Sequence, residues 1–231
     1  MSRYPFIDFH THSEWNGPEI LEVVSLDGSK LKAAQFYTIG YHPWWLTDIL
    51  AEDQLLLLKE RYHKDNFCLG IGECGLDGLK DASVTIQETA FLQQIELANQ
   101  LNAPVIIHCV RAFDRILQMK KNYGRTTWAI HGFVRNKILA KQVLDSGCYL
   151  SVAPSHQMTS TFSSTLEFIP LDRMFIETDS DFRADIKKRY ELFSQLRKCS
   201  TYELQRVIFS NFAKFYSEKW KYQVGWKEQN S

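Results

Sequence analysis

Residues 104–110 read PVIIHCV: a proline, three β-branched apolar residues, and then a histidine with no polar residue ahead of it. A strand with one wet face alternates apolar and polar residues. An unbroken apolar run of this length predicts a strand covered on both faces, as parallel strands are when helices pack on either side. RMFIE, at 173–177, repeats the pattern, again ending on an ionisable residue. Working outward from these two, β-rich runs recur at 5–10 (PFIDFH), 20–26 (ILEVVSL), 35–41 (QFYTIGY), 67–73 (FCLGIGE), 126–132 (TTWAIHG) and 148–153 (CYLSVA). With 104–110 and 173–179 they make eight. Helical patterns separate most of them, at 53–64, 85–102, 112–122, 136–146, 183–198 and 201–221. The gaps at 11–19 and 27–34 are too short for a real helix. Strands alternating with helical crossovers predict an α/β fold with a mostly parallel sheet. Eight of them close naturally into a (β/α)8 TIM barrel, here with shortened βα connections near the N-terminus. An open doubly wound sheet is the alternative, and no Gly-rich phosphate loop follows the first strand to support it.

The bulk composition suits one domain spanning 1–231, since 231 residues at 45% hydrophobic are enough for a single large core. Lys and Arg number 27 against 27 Asp and Glu, so no global field draws the chain toward nucleic acid or an anionic membrane. A polyanionic substrate would have to be met by a local patch or by bound metal. No apolar stretch approaches the length of a membrane span. Five cysteines, an odd number with no C-x-x-C pair, and a structured pattern that begins by Pro5 give the expectation of a cytoplasmic protein with reduced thiols. Cys68, Cys148 and Cys199 read as small buried hydrophobes. Cys74 and Cys109 follow Glu73 and His108, and strand alternation turns each toward the helical layer.

The ends of the runs carry the chemistry. In the opening stretch YPFIDFHTH, the residues Asp8, His10 and His12 share one strand face. Later runs end on His42, on Glu73 and Asp77, on His108 and Arg111, on His131, and on Glu177, Asp179 and Asp181. Five of the seven histidines thus stand at or just past strand C-termini, where a barrel builds its active site. His63, in a helix pattern, and His156, in a loop, read as surface residues. Ionisable groups gathered at a barrel mouth are costly to bury unless they are paired or bind metal. Imidazole with carboxylate suits Zn, Mn or Fe better than Ca. Six such ligands are too many for one tetrahedral zinc with an open position, but they suit two adjacent divalent ions sharing a carboxylate.

DFHTH, GYHP, GIGECGLD, PVIIHCVR, IHGF and ETDSD, in that order, together with the final IFSNFAKFY, resemble the signature set of the TatD family of metal-dependent hydrolases. The resemblance spans nearly the whole chain. It implies an amidohydrolase-like TIM barrel and a divalent-metal phosphodiesterase (usually described as a deoxyribonuclease), with Zn, Mg, Mn or Fe as the metal. Carried over by position, it implies one ion on His10, His12, Glu73 and Asp179, and a second on Glu73, His108 and His131, with Glu73 bridging. This chain departs from the family at Asp181, where a proline is usual, and in the shortened stretches after the first strand and after Phe182. These departures touch substrate choice rather than metal chemistry.

Under that resemblance Asp179 would orient or deprotonate the attacking water as well as ligate. Arg111 could reach a phosphate oxygen or serve as a rim salt bridge. His42 could donate to the phosphate or leaving group, or be a packed loop histidine. Asp8 and Glu177 are expected to hold ligands rather than to be ligands. Trp44 and Trp45 are expected to anchor their loop more than to stack a base. The expected substrates are DNA ends or short oligonucleotides, with Arg111 and one or two of Lys187, Lys188 and Arg189 contacting phosphate. Neither a membrane nor an obligate protein partner is implied. Two other readings remain: an amidohydrolase acting on a small molecule, and a non-catalytic metal-binding protein.

Overall fold

Every strand of the sheet is parallel to its neighbours, and the spatial order follows the chain order from first to last. The computed structural model describes residues 4–12, 17–27, 36–80, 83–217 and 219–222. Its strands are β1 (Phe6–Thr11), β2 (Ile20–Asp27), β3 (Phe36–Gly40), β4 (Cys68–Asp77), β5 (Val105–Val110), β6 (Trp128–Ile130), β7 (Tyr149–Val152) and β8 (Met174–Ile176). The helices are α1 (Glu52–Lys64), α2 (Val84–Leu101), α3 (Phe113–Tyr123), α4 (Lys137–Asp145), α5 (Ser160–Phe168), α6 (Ile186–Arg197) and α7 (Thr201–Phe215). From β3 onward each strand leads into a helix, giving the nearly closed TIM barrel that the run of eight strands predicts. Between β1 and β2 the described residues hold only a turn at 17–19. The second connection expected to lack a helix, residues 28–35, lies outside the described residues, as do 13–16 in the first.

The barrel closes where β1 meets the chain after β8. Thr11 pairs in parallel with Asp179. The His12 amide donates to the Asp179 carbonyl at 3.1 Å, and the Asp179 amide to the His10 carbonyl at 2.9 Å. Lower on the same seam, the Tyr190 hydroxyl from α6 accepts from the Ile7 amide and donates to the Ile7 carbonyl, each at 3.1 Å. A tyrosine thereby satisfies backbone groups that the short β8 leaves without a strand partner. Outside the barrel, Phe9 stacks on Phe175 with ring centroids 3.7 Å apart, and Phe215 of α7 meets both rings edge-on.

Several elements differ from the pattern read in the sequence. Helix α5 was not expected. STFSSTLEF is rich in Ser and Thr, which favour turns over helix interiors, but burial of Phe162 and Leu166 and the N-cap of Thr159 on the Phe162 amide outweigh that preference. Strands β6 and β8 have three residues each, where seven were expected. β4 runs on to Asp77 because glycines permit it. At Gly72 (φ +118°) and Gly75 (φ +142°) a Cβ would stand 2.3 Å from the Ile106 carbonyl oxygen and 2.1 Å from that of His108. Only glycine lets β4 and β5 approach this closely. Among the described residues no helix is long and apolar enough to cross a membrane.

Candidate metal centre

Every residue of the candidate centre but Glu73, which lies inside the long β4, sits near or just beyond a strand's C-terminal end. His10 and His12 come from β1 and the residue after it, Glu73 from β4 and His108 from β5. His131 follows β6, and Asp179 follows β8 with a left-handed backbone (φ 55°). His42 caps the single 3₁₀ turn Pro43–Trp45 after β3. The register breaks between Asp8 and Thr11 in β1, and between Ile71 and Cys74 in β4. Both irregularities sit beside the polar groups they aim inward, His10 and Glu73, as bulges near sites commonly do.

Glu73 is the hub. Its Oε1 lies 2.7 Å from His131 Nε2, 2.9 Å from His108 Nδ1 and 3.0 Å from His42 Nε2. Its Oε2 lies 3.2 Å from His10 Nε2 and 3.3 Å from His12 Nε2, and takes a long hydrogen bond of 3.4 Å from the Ser25 hydroxyl. One carboxylate, 5% exposed, thus divides five imidazoles between its two oxygens. Asp179 Oδ1 stands 3.6 Å from His12 Nε2. Three sets of donor atoms lie close enough to hold an ion: His10, His12 and Glu73; His10, His131 and Asp179; and His42, Glu73 and His108. The six residues expected as ligands therefore converge at one mouth. The sets overlap: His131 lies with His10 and Asp179 and also 2.7 Å from Glu73 Oε1, and His42 lies with Glu73 and His108.

Hydrogen-bond partners separate donors from ligands. His42 Nδ1 accepts from the Trp44 amide at 3.1 Å, so its proton is on Nε2, which then donates to Glu73. His108 stands between two carboxylates, with Nε2 3.1 Å from Asp77 Oδ2 and Nδ1 2.9 Å from Glu73 Oε1. His10 and His131 are buried, and none of their four ring nitrogens has a well-aligned hydrogen bond among the described residues. Buried polar atoms without a well-aligned partner are uncommon and need an explanation, and imidazoles gathered round a carboxylate fit a divalent transition metal. His131 stands apart: burial opposes its charge, but Glu73, Glu177 and Asp179 outweigh burial and raise it to about 10. Burial opposes the charge on Glu73, but the imidazoles of His131, His10 and His108 outweigh it and hold its carboxyl well below the ordinary range. Burial, reinforced by His131, pushes His10 down to about 4.

The supporting carboxylates are placed in ways the sequence only partly foretold. Glu177 accepts from the Gly132 amide at 2.6 Å and lies 3.9 Å from His131 Nδ1. Among the described residues, Asp8 is seen to hold Thr178 rather than a histidine. It takes the Thr178 amide at 2.9 Å and the Thr178 hydroxyl at 2.6 Å, fixing the turn that presents Asp179. Burial raises both carboxyls to about 7. Asp77, noted at the end of the fourth run but given no role, faces the centre through His108. The signal was available: Glu73 and Asp77 are four apart on one strand, an even spacing that puts both on one face. Nothing in the sequence pointed to Ser25.

A cavity of about 830 Å³ opens over the centre. The polar cluster forms one wall, and Val24, Leu26, Trp44, Trp45 and Phe182 form another. Trp44 and Trp45 are 45% and 70% exposed. Trp44 still ties its loop to Asp77 through the indole N–H, as expected, whereas Trp45 lies open on the cavity wall. Lys80 lies over the Trp44 ring, 4.0 Å from its centroid. Among the described residues, the cavity lining contains no Arg or Lys. Arg111 is exposed at the end of β5, outside that lining. Lys187 pairs with Glu19, and Arg189 with Asp181 at 3.0 Å. His63 and His156 are exposed, as expected. Cys74 and Cys109 are buried away from the cavity, and burial pushes the Cys109 thiol up to about 12.

Comparison with known proteins supports the same picture. The TatD related DNase model matches residues 16–217, a span that begins after His10 and His12. A relative from Enterocytozoon bieneusi, named provisionally as a TATDN1-type deoxyribonuclease homologue, is 31% identical over 64% of this chain and 51% of its own length. The uncharacterized metal-dependent hydrolase MJ1582 of Methanocaldococcus jannaschii is 27% identical over 80% of this chain and 76% of its own. Among solved structures, YJJV, a TATD homologue from Escherichia coli, superposes with a TM-score of 0.76 at 19% identity, covering 91% of this chain and 97% of that one. The match spans about half of the Enterocytozoon relative's length and about three quarters of the Methanocaldococcus one. With the family model matching most of its length, and the barrel and its ring of mouth histidines in place, this chain belongs to the TatD related DNase family.

Proposed function

We propose that this protein is a divalent-metal-dependent phosphodiesterase acting on DNA ends or short oligonucleotides. The observation that carries the reading is the division of Glu73: Oε1 toward His108 and His131, Oε2 toward His10 and His12. A carboxylate so flanked would suit two cations, one near each oxygen. Two bound ions would supply a water acidic enough to attack at neutral pH and a clamp on the phosphoryl oxygens. His10, His12, Glu73, His108, His131 and Asp179 would hold them.

The chain's own groups do the rest. Asp179, half-buried and on the cavity wall, takes the proton of the attacking water. His42, whose Nε2 proton points to Glu73 Oε1 at 3.0 Å in the free protein, turns that proton to a phosphoryl or leaving oxygen once substrate is bound. The apolar wall of Trp44, Trp45 and Phe182 packs an unpaired base beside the scissile ester and excludes water there. A duplex hides its bases from such a wall, which is why strand ends are the substrates proposed. This mechanism assigns no contact to Arg111.

The lining supports one other reading. Its apolar wall and its lack of Arg and Lys among the described residues also suit an uncharged aromatic amide, which would make the protein an amidohydrolase. A substrate panel with added Mn²⁺, Zn²⁺ or Mg²⁺ separates the two. Cleavage of a short single-stranded oligonucleotide, with cyclic amides untouched, is the expected result. Amide hydrolysis without any phosphodiester cleavage would overturn the proposal.

A further inference from the structure

We propose that Trp44 and Asp77 are positioning residues, joining the aromatic wall of the cavity to the metal centre by fixing the ring of His108. The indole Nε1–H of Trp44 donates to Asp77 Oδ2 at 2.6 Å, and His108 Nε2 meets the same oxygen at 3.1 Å. Asp77 Oδ2 at Nε2 and Glu73 Oε1 at Nδ1, 2.9 Å away, grip the two ends of the His108 ring, so the place of Asp77 sets the ring's orientation at the centre.

The carboxylate that joins them is itself immobilised. Its other oxygen, Oδ1, accepts from the Leu79 amide at 2.8 Å. Its backbone is clamped from α2 by Gln87, which accepts from the Asp77 amide at 2.8 Å and donates to the Asp77 carbonyl at 3.2 Å. Asp77 is almost fully buried, whereas Trp44 faces the cavity. The Trp44 ring also stands nearly perpendicular to His42 and His108, with centroids 5.1 Å and 5.9 Å away. Any group that packs on this indole therefore presses on the residue that steadies His108.

The inference rests on the metal-centre reading, and Co²⁺ binding distinguishes failure of one from failure of the other. Wild type, Trp44→Phe and Trp45→Phe are titrated with Co²⁺, following heat and the visible absorption of the bound ion. Phenylalanine keeps an apolar ring at the mouth but removes the N–H. Loss of a group that orients a ligand usually weakens metal binding about 10–100-fold. Trp44→Phe is expected to weaken one of two Co²⁺ sites about 10-fold and shift its absorption. Its KM should stay within about 3-fold of wild type while kcat falls, since the ring that packs the substrate is largely retained. Trp45→Phe should leave both Co²⁺ sites unchanged. Equal affinities and spectra in wild type and Trp44→Phe, or equal weakening by Trp45→Phe, would overturn the relay while leaving the metal centre intact. A wild-type protein that bound no Co²⁺ would overturn the metal-centre reading itself.

Discussion

The outer and inner faces of β1 are one residue apart and chemically opposite. On the outer face, Phe9 stacks on Phe175 and meets Phe215, an arrangement that leaves no polar atom in need of a partner. On the inner face, His10 is as deeply buried, yet neither ring nitrogen has a well-aligned hydrogen bond among the described residues. Burying unpartnered polar atoms costs stability, and a chain that folded only for stability would put leucine at position 10. The outer face holds the seam shut. The inner face exploits that stability to hold imidazoles where a cation can use them. Substitutions on the two faces should therefore fail in different measurements.

The largest effect is expected on the inner face. Glu73→Ala should abolish both ion sites and bring turnover to background, a loss of at least about 1,000-fold in kcat, since oriented charge and metal activation carry most of such a reaction. Metal content by mass spectrometry, beside a kinetic assay, checks this. A variant that kept full metal and activity would erase the distinction between the faces. On the outer face, Phe9→Ala should cost about 3–5 kcal/mol in denaturant unfolding, the range for truncating a buried aromatic. Whatever folded protein remains should still bind metal. Preserved stability with lost metal binding would break the comparison.

The pH dependence sharpens it further. Burial raises the Asp8 carboxyl to about 7 from an ordinary 3.8, so the folded state holds a proton that the unfolded state releases earlier. A raised folded pKa gives stability that is full below the unfolded value and is lost as pH rises through the folded one. With metal removed by chelation, raising the pH from 6 to 8 should cost about 1 kcal/mol through this one group. Asp8→Asn can keep both contacts to Thr178, accepting from its amide and donating to its hydroxyl. Unfolding curves for this variant should lose that slope, and an unchanged slope would show that Asp8 is already charged at pH 6. The smallest expected effect is on salt. Among the described residues, Lys80 is the one cation lying over the aromatic wall. Each phosphate neutralised on a single strand contributes about −0.7 to the slope of log K against log salt. Binding of an oligonucleotide to a catalytically silenced variant should give a slope shallower than about −2, and a steeper one would mean a wider phosphate track.

These contrasts also explain what could be read in advance. The outer face was legible because apolar runs such as PVIIH have no other use in a parallel sheet, and the strand count led directly to the barrel. The inner residues were legible because His10, His12, Glu73, His108, His131 and Asp179 are costly types placed at strand ends. Contacts made across the barrel were not legible. Asp8 was expected to hold a histidine, but it lies 170 positions from the Thr178 it actually binds. Asp77 was passed over because its role depends on where Trp44 lands, and local pattern could not place an indole on a 3₁₀ turn. Helix α5 was hidden by its Ser and Thr content, which local propensity misjudges when Phe162 and Leu166 are to be buried.

The central claim is that one carboxylate serves two cations, one on each of its oxygens. A crystal of the protein soaked in Mn²⁺ and measured at the manganese absorption edge tests it most directly. The account predicts two anomalous peaks flanking Glu73, one bonded to Oε1 and the other to Oε2, each with histidine nitrogen at about 2.0–2.3 Å. A single peak, or two peaks neither of which touches Glu73, would contradict it.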